Sequence, residues 1–115
     1  MTIEEKVKVI YSALDEKKAL DIKIIDIRKV SVIADYLIIA GGTNTNQVQA
    51  MVDSVEKELL KDDVHANHIE GYSNANWILL DYSDIIVHVF NQEDRLFYDL
   101  ERLWKDGKSI EIAEI

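Results

Sequence analysis

The chain has no cysteine, no proline and only four glycines, and its longest apolar runs are five or six residues. Without cysteine, neither a disulfide framework nor a thiolate metal site can form. Runs this short cannot cross a bilayer, which takes about 20 apolar residues in one helix. The opening Met1-Thr2-Ile3-Glu4-Glu5-Lys6 has neither the basic nor the apolar region of a signal peptide, so a soluble cytoplasmic protein is expected. Positive charge is also scarce. Thirteen basic residues stand against 22 acidic ones, a formal net charge of −9. Nucleic-acid binding draws on clustered Lys and Arg that neutralise phosphates, and no such cluster exists here. Direct nucleic-acid specificity is therefore not expected. The acidic surplus serves solubility, or it suits a basic protein partner met by charge complementarity.

What is present reads as one folded α/β domain over residues 1–115. The hydrophobic content of 48% suits a globular core. There are no repeats, and the one polar, glycine-bearing gap, 62–76, is short. Thr2-x-x-Glu5 is a capping box, and Ile3, Val7, Ile10, Tyr11 and Leu14 follow at helical spacing to about Lys18. Ile22 to Arg28 predicts a strand, with a bulge hinted at by Ile24-Ile25. Tyr36 to Ala40 is uniformly apolar, as in a central strand covered on both faces. Gly41-Gly42-Thr43-Asn44 then opens a second helix with a stripe of Val48, Met51, Val52, Val55 and Leu59. Strands are predicted at Trp77 to Tyr82 and Asp84 to Phe90. A third helix, capped by Asn91 with Asp94 in its first turn, presents Leu96, Phe97, Leu100, Leu103 and Trp104, and Ile110 to Ile112 could add an edge strand. The order α-β-β-α-β-β-α makes a mixed β-sheet flanked by helices.

The hairpin holds the most informative residues. With Tyr82 and Ser83 as the turn, Asp81 faces Asp84 and Trp77 faces His88. One ribbon face is then Ile78, Leu80, Ile85, Val87 and Val89, all aliphatic and therefore core. The other carries Trp77, Leu79, Asp81, Asp84, Ile86, His88 and Phe90. Acids directly opposite one another repel and need a cation, a donor or a partner. Trp beside His and paired acids fits a protein-binding patch, where aromatic anchors dominate the energy. The alternative is that both acids only cap a tight turn and His88 is satisfied inside the fold.

A different class of function is a metal-dependent nucleotidyltransferase using Gly41, Gly42, Asp81 and Asp84. Against it, such enzymes carry Asp-x-Asp on one strand soon after the glycines. Here Asp53 and Glu56, the acids at that distance, fall in the second helix, and no Lys or Arg lies near the glycines. His65 and His68 sit in a loop far in sequence from His88, so no metal site is expected. No nucleophile triad, Walker loop or dinucleotide fingerprint is present, and no cofactor is expected.

Several strings resemble the ribosomal silencing factors of the Iojap family. They are Asp35-Tyr36; Gly42-Thr43-x-x-x-Gln47-Val48-Gln49-Ala50; Glu70-Gly71; Ala75-x-Trp77-Ile78-Leu79-Leu80-Asp81-Tyr82-x-Asp84-Ile85-Ile86-Val87-His88-Val89-Phe90; and Arg95-x-x-Tyr98-Asp99-Leu100-Glu101-x-Leu103-Trp104. The resemblance runs through nearly the whole chain. It implies a nucleotidyltransferase-like fold without transferase activity. It also implies a cytoplasmic, non-enzymatic protein that binds the large ribosomal subunit through ribosomal protein L-fourteen. Such a protein would block subunit association and repress translation when nutrients are short. Trp77, Asp81, Asp84, His88, Tyr98 and Asp99 match the family's motifs and take a partner-binding role by that likeness. A homodimer of the free protein is left open. Two positions depart from the pattern. Asn46 stands where Arg is common, and Ser83 replaces a glycine, which is costly if the turn needs positive φ.

Overall fold

The computed structural model describes residues 1–92 and 107–115. The predicted third helix, with Tyr98 and Asp99, lies outside the described residues. Helix α1 (Ile3–Glu16) opens on the predicted box: the Glu5 amide donates to the Thr2 hydroxyl oxygen at 3.1 Å, and the Thr2 amide donates to the Glu5 carboxylate at 3.0 Å. Two amides left open by a helix start are thereby satisfied. Asn44 does the same for α2 (Thr45–Leu60), accepting from the Gln47 amide at 2.8 Å. The apolar stripes of both helices are buried.

The strands are β1 (Leu20–Asp26), β2 (Tyr36–Gly42), β3 (His68–Glu70), β4 (Trp77–Asp81), β5 (Ile85–Asn91) and β6 (Lys108–Ile110). They form one sheet in the order β3-β4-β5-β2-β1-β6. Only β2 and β5 run parallel, and α2 lies in the crossover between them. Such a connection needs a long segment, which α2 and the following loop supply. α1 and α2 pack on one face of the sheet, closing a core with Ile24, Ile38, Ala40, Ile78, Leu80, Val87 and Val89. Ile25, Ile27, Leu37, Ile39 and Phe90 form a second buried cluster. Every residue of β2 is buried, as its uninterrupted apolar run predicts. Each fully buried Ile or Leu there contributes about 1.5–3 kcal/mol.

The mixed sheet and its flanking helices match the expected α/β class, with three differences in detail. The irregularity in β1 lies between Leu20 and Lys23, where Asp21 takes a positive φ, not at Ile24-Ile25. The closing edge strand is Lys108–Ile110 rather than 110–112, and the polar gap contains β3, unmarked by any alternation.

The hairpin register is the larger correction. Asp81 faces Ile86, Leu79 faces His88, and Trp77 faces Phe90. The ribbon turns one residue later than expected, because the Tyr82 amide pairs with the Ile85 carbonyl at 2.9 Å. The Asp84 amide then donates to the Tyr82 carbonyl at 2.8 Å, a γ-turn centred on Ser83 at φ 69°. That conformation is rare and strained for a residue with a side chain. Asp81 supports it by accepting from the Ser83 amide at 2.8 Å, and the Asn67 amide group donates to the Ser83 hydroxyl. Because the pairing moved by an even number of residues, the assignment of ribbon faces survives for the paired strand residues, whereas Asp84, outside both strands, turns to Lys6 of α1. Asp81 and Asp84, however, do not oppose each other.

Gly71 holds the approach to β4. Its φ is +80°, and a Cβ there would collide with the Trp77 carbonyl oxygen. Gly71→Ala is expected to cost about 2 kcal/mol or more, from left-handed strain plus the displaced Trp77 backbone. Urea unfolding measures this directly, and a cost below about 0.5 kcal/mol would show that the loop relaxes freely.

Candidate protein-docking site

At the end of the hairpin away from its turn, β4 begins with Trp77, whose side chain is 40% exposed. The indole stacks on its cross-strand partner Phe90, centroids 5.4 Å apart and planes 22° apart. Its Nε1–H donates to Nδ1 of His88 at 2.9 Å. His88 is the diagonal neighbour on the same face, 6% exposed, with its ring nearly parallel to that of Phe90. Alternation along two paired strands puts all three rings on one side of the ribbon, within diagonal reach of one another.

The indole can only donate, so Nδ1 of His88 must be unprotonated, and the neutral ring carries its proton on Nε2. Burial enforces this by pushing the imidazole down to about 4. The result is a partly exposed tryptophan held in one orientation on two buried rings. Little side-chain freedom is left to lose when a partner covers it.

The structure brings Trp77 and His88 together, whereas the acids lie at the turn end. Asp84 is held by α1, its Oδ2 accepting from Lys6 Nζ at 3.2 Å. Its backbone carbonyl accepts from the amides of Asp35 and Tyr36 at 2.8 and 3.1 Å. Asp81 keeps its Asx-type bond to Ser83. Both acids thus have intramolecular roles. No sequence signal marks the Lys6 contact, which joins residues 78 positions apart. Exposed Val30, Val32 and Ile33 sit just before Asp35 and also went unmarked.

At the glycine turn the side chain of Gln47 takes the place a phosphate would need beside Thr43. Gln47 Oε1 accepts from both the amide and the hydroxyl of Thr43 at 2.7 Å, and its Nε2 donates to the Lys17 and Lys18 carbonyls at 3.0 and 3.2 Å. Both donors of Thr43 are therefore taken by Gln47, whose own amide group ties α2 to the end of α1. Gly42 is needed for packing, since a Cβ would stand 2.9 Å from Val48 Cγ2. Gly42 also lies at the far end of β2 from Tyr36, where Asp84 docks. Six residues of strand separate the two by about 20 Å. The nucleotidyltransferase constellation of Gly41, Gly42, Asp81 and Asp84 is thereby ruled out as one site. Among the described residues no three His, Asp or Glu side chains gather to hold a metal. His65 and His68 each turn to an acid two residues away, Asp63 and Glu70. No helix among the described residues is long and apolar enough to cross a membrane.

A buried neutral histidine makes stability depend on pH. The unfolded chain takes up a proton near pH 6.5 and the folded chain only near 4. Stability is therefore full above pH 6.5 and falls as pH drops through that window. Between pH 7 and 5 the loss assigned to His88 is about 2 kcal/mol, read by urea unfolding. His88→Gln should flatten that interval, and an equal slope in both proteins would contradict the burial argument.

The model of the family described as "Ribosomal silencing factor during starvation" matches residues 1–115. The ribosomal silencing factor of Halalkalibacterium halodurans is 34% identical over 115 residues, covering 100% of this chain and 98% of that protein. A crystal structure from Bacillus halodurans superposes with a TM-score of 0.85 at 32% identity, over 93% of this chain and 97% of that one. The mouse protein named "Mitochondrial assembly of ribosomal large subunit protein 1" is 29% identical over 85% of this chain and 44% of its own length. These silencing factors are regulatory proteins rather than enzymes, and their action is on the ribosome. Matched from end to end by the family model and sharing a third of its residues with a curated member, this chain belongs to the ribosomal silencing factors that act during starvation.

Proposed function

We propose that this protein docks on the large ribosomal subunit against ribosomal protein L-fourteen, obstructs joining of the small subunit and so represses translation. Its family makes the ribosome the target, and the mouse relative's name points to the large subunit. The observation that carries the docking site is Trp77, half in solvent yet fixed by Phe90 and His88. A large aromatic held in one orientation on a surface is what binding hot spots are built from. Trp77 and His88 form the centre of the contact, and Asp81 and Asp84 its acidic rim. Tyr98 and Asp99 are assigned to the same contact through the family motif. The net charge of −9 favours a basic partner such as a ribosomal protein and speeds the encounter.

Trp77→Ala and Asp81→Lys test this reading together. Because Trp77 is only partly buried, its truncation should cost about 1–2 kcal/mol of stability, from lost stacking and one hydrogen bond. A fully enclosed tryptophan would cost about 3–5 kcal/mol. Affinity for purified large subunits should fall about thirtyfold in Trp77→Ala. Asp81→Lys should weaken binding in a salt-dependent way, as expected of a partly exposed acid facing a basic partner. An unfolded Trp77→Ala beside a normally binding Asp81→Lys would place Trp77 in the core and remove the site.

A further inference from the structure

On the helix-covered side of the sheet, opposite the Trp77 face, a cavity of about 150 Å³ opens between the C-terminal half of α2 and β3. Its walls are apolar: Leu60, Val64, Ala66 and Ile69. Leu60 and Ile69 remain 48% and 36% exposed, unusual for large aliphatic side chains beside a cleft. His65 also lines the cleft, its ring held by Asp63 at 2.8 Å, and two further polar residues face the same space. One is the Glu56 carboxylate, raised first by burial and then by Asp53. The other is Tyr82, a residue only 4% exposed, whose buried hydroxyl has no hydrogen-bond partner among the described residues. A buried hydroxyl left unpaired loses its water without gaining a partner, so its position calls for an explanation. Burial and the neighbouring Glu56 push Tyr82 up to about 12, which keeps the hydroxyl neutral.

An apolar sleeve with a carboxylate and a hydroxyl has a definite complement. A neutral aliphatic side chain would leave both polar groups unsatisfied, and an acid would be repelled by Glu56. A long side chain with methylenes along its stem and a cation at its tip suits the apolar walls, Glu56 and Tyr82, while His65 keeps its own partner Asp63. We propose that this cleft is a second docking site, which receives one arginine or lysine of a basic protein segment. The stem lies on Leu60, Val64, Ala66 and Ile69, the cation pairs with Glu56, and the Tyr82 oxygen accepts one N–H. Charge complementarity commits the occupant to a basic protein, given the acidic surplus of the chain. β3 ends the sheet, so an extended segment laid along it would set alternate side chains towards the cleft. The inference stands apart from the Trp77 contact and does not depend on it.

The test is an amide-resolved NMR titration of the whole chain with the capped peptide acetyl-Ser-Thr-Arg-Thr-Ser-amide. The same peptide with citrulline, which is uncharged and nearly isosteric, is the control. Saturable shifts are expected at Val64, Ala66, Ile69 and Tyr82. Citrulline, or Glu56→Gln in the protein, should each weaken binding about tenfold, the worth of one charge-assisted pair. Tyr82→Phe, which removes only the hydroxyl, should weaken it about fivefold. Shifts spread over the acidic surface, shifts centred on Trp77, or no saturable shift would overturn the proposal. Equal binding of the two peptides, or unchanged binding by Glu56→Gln, would do the same. Glu56 lies towards the surface of α2, so its variant keeps the test intact even if Tyr82→Phe fails to fold.

Discussion

The parallel pairing of β2 with β5, from Tyr36 opposite Ile85 to Gly42 opposite Asn91, decides which chemistry appears at which end of the molecule. Antiparallel strands could have brought the glycine turn to the acidic hairpin turn. Parallel strands cannot: the turn after β2 shares an end of the sheet with Trp77, and the acids sit at the other end. An arrangement of glycines and carboxylates that suggests phosphoryl chemistry on paper is thus pulled apart by about 20 Å of strand. The same pairing buries β2 on both faces, and the two strands form the middle of the sheet, flanked by β1 and β4.

Around that frame the polar residues settle into intramolecular roles. Gln47 closes the glycine turn, Lys6 neutralises Asp84, Asp81 braces a strained turn at Ser83, and Asn44 and Thr2 cap their helices. Trp77 is the exception. Its indole N–H is satisfied and one face is stacked, yet much of the ring meets water. A surface tryptophan held by a buried neutral histidine is expensive to keep, because the histidine lowers stability whenever the unfolded chain would bind a proton. The proposed binding role would account for that cost.

Much of this was legible in the amino-acid order. Both helix starts follow from side chains that reach back to open amides, and β2 follows from five consecutive apolar residues with no polar face. The division of the hairpin into an aliphatic and an aromatic face was also readable, because a pleat alternates regardless of register. The register itself was not. It hangs on Tyr82 pairing with Ile85 and on Ser83 adopting a positive φ, a conformation that glycine would have advertised and serine conceals. β3 escaped because three exposed residues carry no period. The Lys6–Asp84 bond and the unpaired Tyr82 hydroxyl escaped because both arise only when distant segments meet. Trp77, Asp81, Asp84 and His88 were readable as belonging to one hairpin, but their facing partners and their division into an aromatic end and an acidic end required the fold.

The central claim is that this chain acts by occupying the large subunit. Sedimentation of the purified protein with separated ribosomal subunits tests it most directly. The protein should travel with the large subunit alone and, when added before the subunits are mixed, should lower the yield of joined ribosomes. Migration with the small subunit only, or with neither, would contradict the account.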